Sequence, residues 1–143
     1  MSENFQIFLK KDQILCREGD NETNLFIIKR GKLLVCLKKG TEVIPLAHLG
    51  AGEFVGELSF FDGEPRSANI IALEECELSK IPQAEITKKF PAWLILMAKQ
   101  MTKKIRLYDE VVKGKGLKRK NVESVKPLTI QEQRHFFQIL ESK

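Results

Sequence analysis

No stretch of this sequence is long and apolar enough to cross a bilayer. The longest apolar-rich run is Trp93 to Met97, against the roughly 20 residues a spanning helix needs. Cysteine is scarce. Cys16, Cys36 and Cys76 are isolated and odd in number, and with no C-x-x-C pair the common zinc and dithiol motifs are excluded. Their expected role is that of small buried hydrophobes in a reducing compartment. Histidine is rarer still: His48 and His135 lie on distant segments, with no H-x-H, so a histidine-held catalytic metal is not expected. No serine or cysteine stands in a recognisable nucleophile motif. The opening Met1-Ser2-Glu3-Asn4 carries an acid and no basic stretch, and no signal peptide follows, so a cytoplasmic location is expected.

What the chain does have is the composition of one ordinary globular domain: 143 residues, 43% apolar and 30% charged, enough for a real core. Its charge is unevenly placed. Positions 1–112 hold 16 basic and 16 acidic residues, whereas positions 113–143 hold 8 and 3, which accounts for the whole net charge of +5. A neutral body with a basic tail puts a boundary near Lys113.

From Gln13 to Ile81 the sequence reads as short strands broken by turns. Gln13–Cys16 ends at Arg17-Glu-Gly-Asp20. Asn24–Arg30 stops at Gly31, Lys32–Leu37 turns at Lys38-Lys-Gly40, and Glu42–Leu46 follows with Pro45 marking an edge or end position. Ser67–Ile71 and Cys76–Ile81 close the series. Strands at this spacing with glycine turns indicate a β-sandwich or barrel, and no internal repeat is evident.

After Pro82 the period changes. Gln83–Phe90 reads as a short helix stopped by Pro91, and Ala92–Val112 as a long one free of proline and glycine. Met97, Met101, Ile105, Tyr108 and Val112 recur at helical spacing, one apolar stripe that suits packing on the barrel or pairing with a second copy. Gly114 and Gly116 end the helix in a basic linker over 113–127. Thr129 and Glu132 have the spacing of a capping box for a short tail helix, with Ile130, Phe137 and Leu140 on one face. A helix so short is marginal alone and must dock on something. The expected division is therefore a body over 1–112, a linker over 113–127 and a helical tail over 128–143.

The stretch with chemistry runs from Gly52 to Ala68. Gly56 opens a segment, Glu57 to Phe60, that suits one helical turn, whose free N–H groups favour an anion. Gly63 and Pro65 turn the chain back, and Arg66 enters a strand from which its guanidinium can meet the same anion in the fork geometry that phosphate favours. Glu57 has the wrong charge for phosphate but can accept from a sugar hydroxyl. One phosphate donor set and one hydroxyl acceptor suggest a small phosphorylated sugar ligand. An Arg66–Glu57 salt bridge in an empty barrel is the competing reading.

Gly56-Glu-Leu58, followed after six residues by Pro65-Arg-Ser-Ala68, resembles the phosphate-binding cassette of the cyclic-nucleotide-binding domain family, which includes kinase regulatory subunits and bacterial catabolite activators. The resemblance extends over about Phe8 to Val112, with Arg17-Glu-Gly-Asp20, Leu25-Phe-Ile-Ile28 and Gly31 falling on the family's early strands and turns. It implies a mainly β fold with C-terminal helices: a β-roll, a jelly-roll-like double-stranded barrel, followed by a short helix, a long helix and a short tail helix. It also implies roles. Arg66 pairs with the cyclic phosphate and Glu57 accepts from the ribose 2′-OH. The N–H groups of Leu58, Ser59 and Ala68 are candidates for phosphate contacts, and Gly56 lets the backbone approach the sugar. Ser67 reaches the phosphate or a base edge. Serine at this place occurs in catabolite activators, which respond to cAMP, and threonine in the kinase cGMP sites, so cAMP is expected ahead of cGMP.

The sequence departs from the family in two places. Tyr108 and Asp109 stand where the activators place hydroxyl residues against adenine, so Tyr108 is a candidate lid stacked on the base or a packing residue. Only about seven residues precede the first strand, so the family's helical lead-in is nearly missing.

Taken together, the resemblance implies a non-enzymatic sensor that binds a cyclic mononucleotide, forms a homodimer through the 92–112 helix and signals through its tail to an attached or partner effector. A degenerate, ligand-independent dimerisation or interaction module is the alternative. Cupin-like metal enzymes share the barrel shape but need clustered histidines. The 31 residues after Val112 are too few for the activators' helix-turn-helix domain, which argues against sequence-specific DNA binding. No membrane partner is expected. The tail from Thr129 is expected to open a further effector domain.

Overall fold

The computed structural model describes residues 5–113 and 128–141. The chain divides into two compact units, Met1–Arg106 and Leu107–Lys143, each considered by itself. Of the expected basic linker over 113–127, all but Lys113 lies outside the described residues.

The first unit is built on eight strands: β1 (Phe5–Leu9), β2 (Ile14–Cys16), β3 (Leu25–Arg30), β4 (Leu33–Lys39), β5 (Glu42–Leu49), β6 (Phe54–Val55), β7 (Asn69–Ala72) and β8 (Cys76–Ile81). They form two four-stranded sheets, ordered β1-β8-β3-β6 and β2-β7-β4-β5, with every pairing antiparallel. The fold is mainly β with C-terminal helices, as the resemblance implied.

Between the sheets lies a core of Cys16, Phe26, Ile28, Leu33, Val55, Ile70, Ala72, Cys76 and Leu78. All three cysteines are free and buried, as expected. Pro45 sits on β5, an edge strand, where the pairing with β4 slips between Val35 and Cys36. An edge bulge tolerates the missing N–H. Strand β1 begins earlier than the first strand expected about seven residues in. Its pairing with β8 starts the sheet at Phe5, and Phe5 and Phe8 stay exposed, so burial leaves no clean alternation in its sequence.

Helix α1 (Glu57–Asp62) leaves the barrel after β6. A 3-10 turn at Gln83–Glu85 and α2 (Ile86–Lys89) make up the expected short helix, and α3 (Ala92–Lys113) the long one. Leu25, Phe60 and Ile86 form a second small core, with Phe61, Ile81 and Ile95 against it; it joins α1, α2 and the start of α3 to β3. Along α3, Thr102 is buried and Leu94, Ile95, Ala98 and Arg106 are partly so. Met97, Met101 and Ile105 are largely exposed. The apolar stripe legible in sequence is thus only about half covered.

In the second unit, α4 (Ile130–Glu141) begins where the capping box places it. The Glu132 N–H donates to Thr129 Oγ1 at 3.2 Å, while the Glu132 carboxylate accepts from the Thr129 hydroxyl. Every described residue of α4 is exposed, its apolar face included.

Candidate functional site

A cavity of about 400 Å³ opens between the barrel, α1 and α3, within the ~300–1,000 Å³ typical of small-ligand sites. Its wall is mostly apolar, from Val35, Leu49, Val55, Ile70, Ala98, Met101 and Ile105, with convergent polar groups at Glu57, Ser59, Arg66, Ser67 and Thr102. Gly56, Glu57, Leu58, Ser59, Arg66, Ser67 and Ala68 all line it, so seven of the eight residues singled out in the sequence meet at one place. Tyr108 belongs to the second unit and is 72% exposed.

Arg66 is the electrostatic centre of the site. It is only 4% exposed, and a charge so deep must be paired. Its backbone is pinned by the Arg17–Asp20 turn: the Arg66 N–H donates to Asp20 O and the Gly19 N–H to Arg66 O, both at 2.8 Å. The guanidinium donates to Gly56 O at 2.9 Å, to Asn24 O at 2.6 Å and to the Glu22 carboxylate, and lies over the Phe26 ring. Its partner is therefore Glu22 and not Glu57, which is exposed. Arg66 Nε is the only buried side-chain nitrogen or oxygen without a hydrogen-bond partner among the described residues. A buried unpaired donor is costly.

Gly56 also sits against Arg66. Its φ is 85° and a Cβ there would overlap Arg66 Nη1 and lie 3.0 Å from Asn24 O. The missing side chain makes room for the guanidinium. The amides that follow open α1, whose first intrahelical bond runs from the Phe60 N–H to Gly56 O, leaving the N–H groups of Glu57, Leu58 and Ser59 outside the helix ladder. Cys16 also lines the wall. Burial pushes its thiol up to about 11 against the pull of Arg66, so at neutral pH it is an uncharged wall atom. No group of three or more His, Cys, Asp or Glu able to hold a metal ion occurs among the described residues, and no described helix is long and apolar enough to cross a membrane.

The sequence reading missed Glu22 and Asn24, which precede β3, and Arg106, which meets the loop from α3. Glu22 carries no motif of its own. Its signal is only that a buried arginine needs a carboxylate.

Residues 6–90 match the family model described as cyclic nucleotide-binding domain. The chain belongs to the cyclic nucleotide-binding domain family. Among related proteins, the cAMP-activated global transcriptional regulator CRP of Haemophilus influenzae is 31% identical over 98 residues, covering 64% of this chain and 43% of the regulator. Lysophospholipase NTE1 of Coccidioides immitis is 27% identical over 121 residues, 82% of this chain and 8% of that protein. The cyclic nucleotide-binding domain thus spans less than half of either relative. Among solved structures, the EAL enzyme Bd1971 is similar in its cAMP-bound form (TM-score 0.64, 32% identity, 76% of this chain and 30% of that one). Its cGMP-bound form gives a TM-score of 0.65 at 28% identity, over 96% of this chain and 34% of that one.

Proposed function

We propose that this cyclic nucleotide-binding domain is a non-catalytic sensor that takes a cyclic mononucleotide, cAMP ahead of cGMP, into the cavity beside Arg66. The observation that carries this reading is that the buried Arg66 lines the same cavity as Leu58, Ser59 and Ala68. The cyclic phosphate accepts from Arg66 and from the N–H groups of Leu58, Ser59 and Ala68, and the ribose 2′-OH donates to Glu57. Gly56 keeps the guanidinium in place, and Ser67 meets the phosphate or the base. The apolar wall takes the base. Three buried free cysteines suit a reducing, cytoplasmic setting.

Ligand binding stabilises a fold by mass action, by about 2.7 kcal/mol at one hundred times Kd. For a domain of this size, saturating cAMP is therefore expected to raise the melting temperature by on the order of 10 °C. No shift with cAMP, cGMP or any other cyclic mononucleotide would remove the proposal.

The domain acts by passing occupancy to α3 and on to an effector attached to, or recruited by, the tail. The half-exposed stripe of Met97, Met101 and Ile105, the last two of which also border the cavity, supports pairing of α3 with a second copy. Sedimentation is expected to show dimer at concentrations on the order of tens of micromolar. A monomer under those conditions, with and without cAMP, contradicts the pairing.

A further inference from the structure

The cassette is gripped from outside by a second arginine. Arg106, on α3, holds Asp62 at the end of α1 through both carboxylate oxygens: Nε bonds Oδ2 and Nη2 bonds Oδ1 at 3.0 Å. Its Nη1 donates to Pro65 O at 3.2 Å, and Pro65 is the residue before Arg66. Nη2 also lies 3.5 Å from the hydroxyl of Ser59, which lines the cavity. The ion pair is substantially shielded, with side chains 23% and 16% exposed, where a forked arginine–carboxylate pair is strongest. One side chain therefore ties down both ends of the loop from Asp62 to Arg66.

Around it, Met101 and Ile105 border the cavity with half-exposed side chains. Ile95 packs on the small core near the start of the helix, and Ala98 and Thr102 line the cavity. Thr102, though buried, spends its hydroxyl on Lys99 O of its own helix. At Arg106 the helix adds a salt bridge to the cassette.

We propose that Arg106 is a positioning residue for the ligand site, through which the docking of α3 sets the height of Arg66 and of the α1 amides, and so the affinity for ligand. This rests on the cyclic-nucleotide reading given above. Coupling between helix docking and ligand is reciprocal: whatever draws the loop onto a phosphate also tightens its hold on α3, and a partner that pulls α3 away weakens binding without touching the cavity.

The test is a double-mutant cycle on the full chain with Arg106→Met and Asp62→Asn, read two ways. Calorimetry with cAMP is expected to show about a tenfold loss of affinity for each single substitution and little further loss in the double, as for partners in one interaction. Hydrogen exchange of the ligand-free protein is expected to speed up several-fold at the amides of 59–64 and 66, with those of β8 unchanged. Affinities within about twofold of the unsubstituted chain, losses that simply add, or exchange that rises equally throughout the barrel would each overturn the proposal. If the unsubstituted chain binds no cyclic nucleotide, the ligand reading falls. The exchange measurement then decides by itself whether Arg106 holds the loop, and unchanged exchange at 59–66 refutes that too.

Discussion

Arg66→Ala is expected to weaken cAMP binding by more than ~2 kcal/mol, about thirtyfold. The loss has two sources. The phosphate loses its charged fork, and the truncation leaves Glu22, Asn24 O and Gly56 O without the donor they share. Some stability should be lost as well, on the order of 1–3 kcal/mol for the orphaned acceptors, so affinity must be measured well below the variant's melting temperature. Arg66→Lys separates the sources. It keeps a charge but not the planar fork, so it should recover part of the stability and little of the affinity. Titration calorimetry of the two variants beside the unsubstituted chain checks this. Unchanged cAMP affinity in Arg66→Ala removes Arg66 from the site.

Gly56→Ala is expected to be nearly as damaging, by another route. A residue with a Cβ at φ 85° carries the roughly 1–2 kcal/mol of left-handed backbone. Here the Cβ would also overlap the Arg66 guanidinium. Because that group is buried and pinned by three acceptors, it has nowhere to go, and the expected cost exceeds ~2 kcal/mol of stability with at least about tenfold in affinity. Gly52→Ala is the control. Its φ is 89° but nothing lies within 4 Å of its Cβ, so it should show the backbone cost alone and bind normally. Equal tolerance at both positions, by thermal melts and calorimetry, would mean that Gly56 is there for its backbone and not for the arginine.

Much of this arrangement was legible in the sequence because the cassette is contiguous. Gly56 to Ala68 carries its glycines, its acid and its arginine within one short stretch, and seven of the eight expected site residues do line one cavity. Strands with turn glycines at their ends were also readable, and so was Pro45 as an edge residue. What escaped was whatever depends on contacts far apart in the chain. Glu22 pairs with Arg66 across 44 positions, and Arg106 with Asp62 across another 44; neither pair leaves a local pattern. The start of β1 was blurred because both its phenylalanines are exposed. The stripe on α3 was legible from its period, and Met101 and Ile105 of it border the cavity; the partner that Arg106 finds in Asp62 leaves no such period.

The central claim is that the cavity beside Arg66 takes a cyclic mononucleotide, and calorimetric titration of the full chain with cAMP, cGMP and a cyclic dinucleotide tests it most directly. The account predicts saturable binding of one cAMP per chain, weaker binding of cGMP and none of the dinucleotide. In Glu57→Gln, 2′-deoxy-cAMP and cAMP should bind about alike, because the hydroxyl acceptor is gone. Absence of binding by both mononucleotides to a folded chain would contradict the account and leave a ligand-independent interaction module in its place.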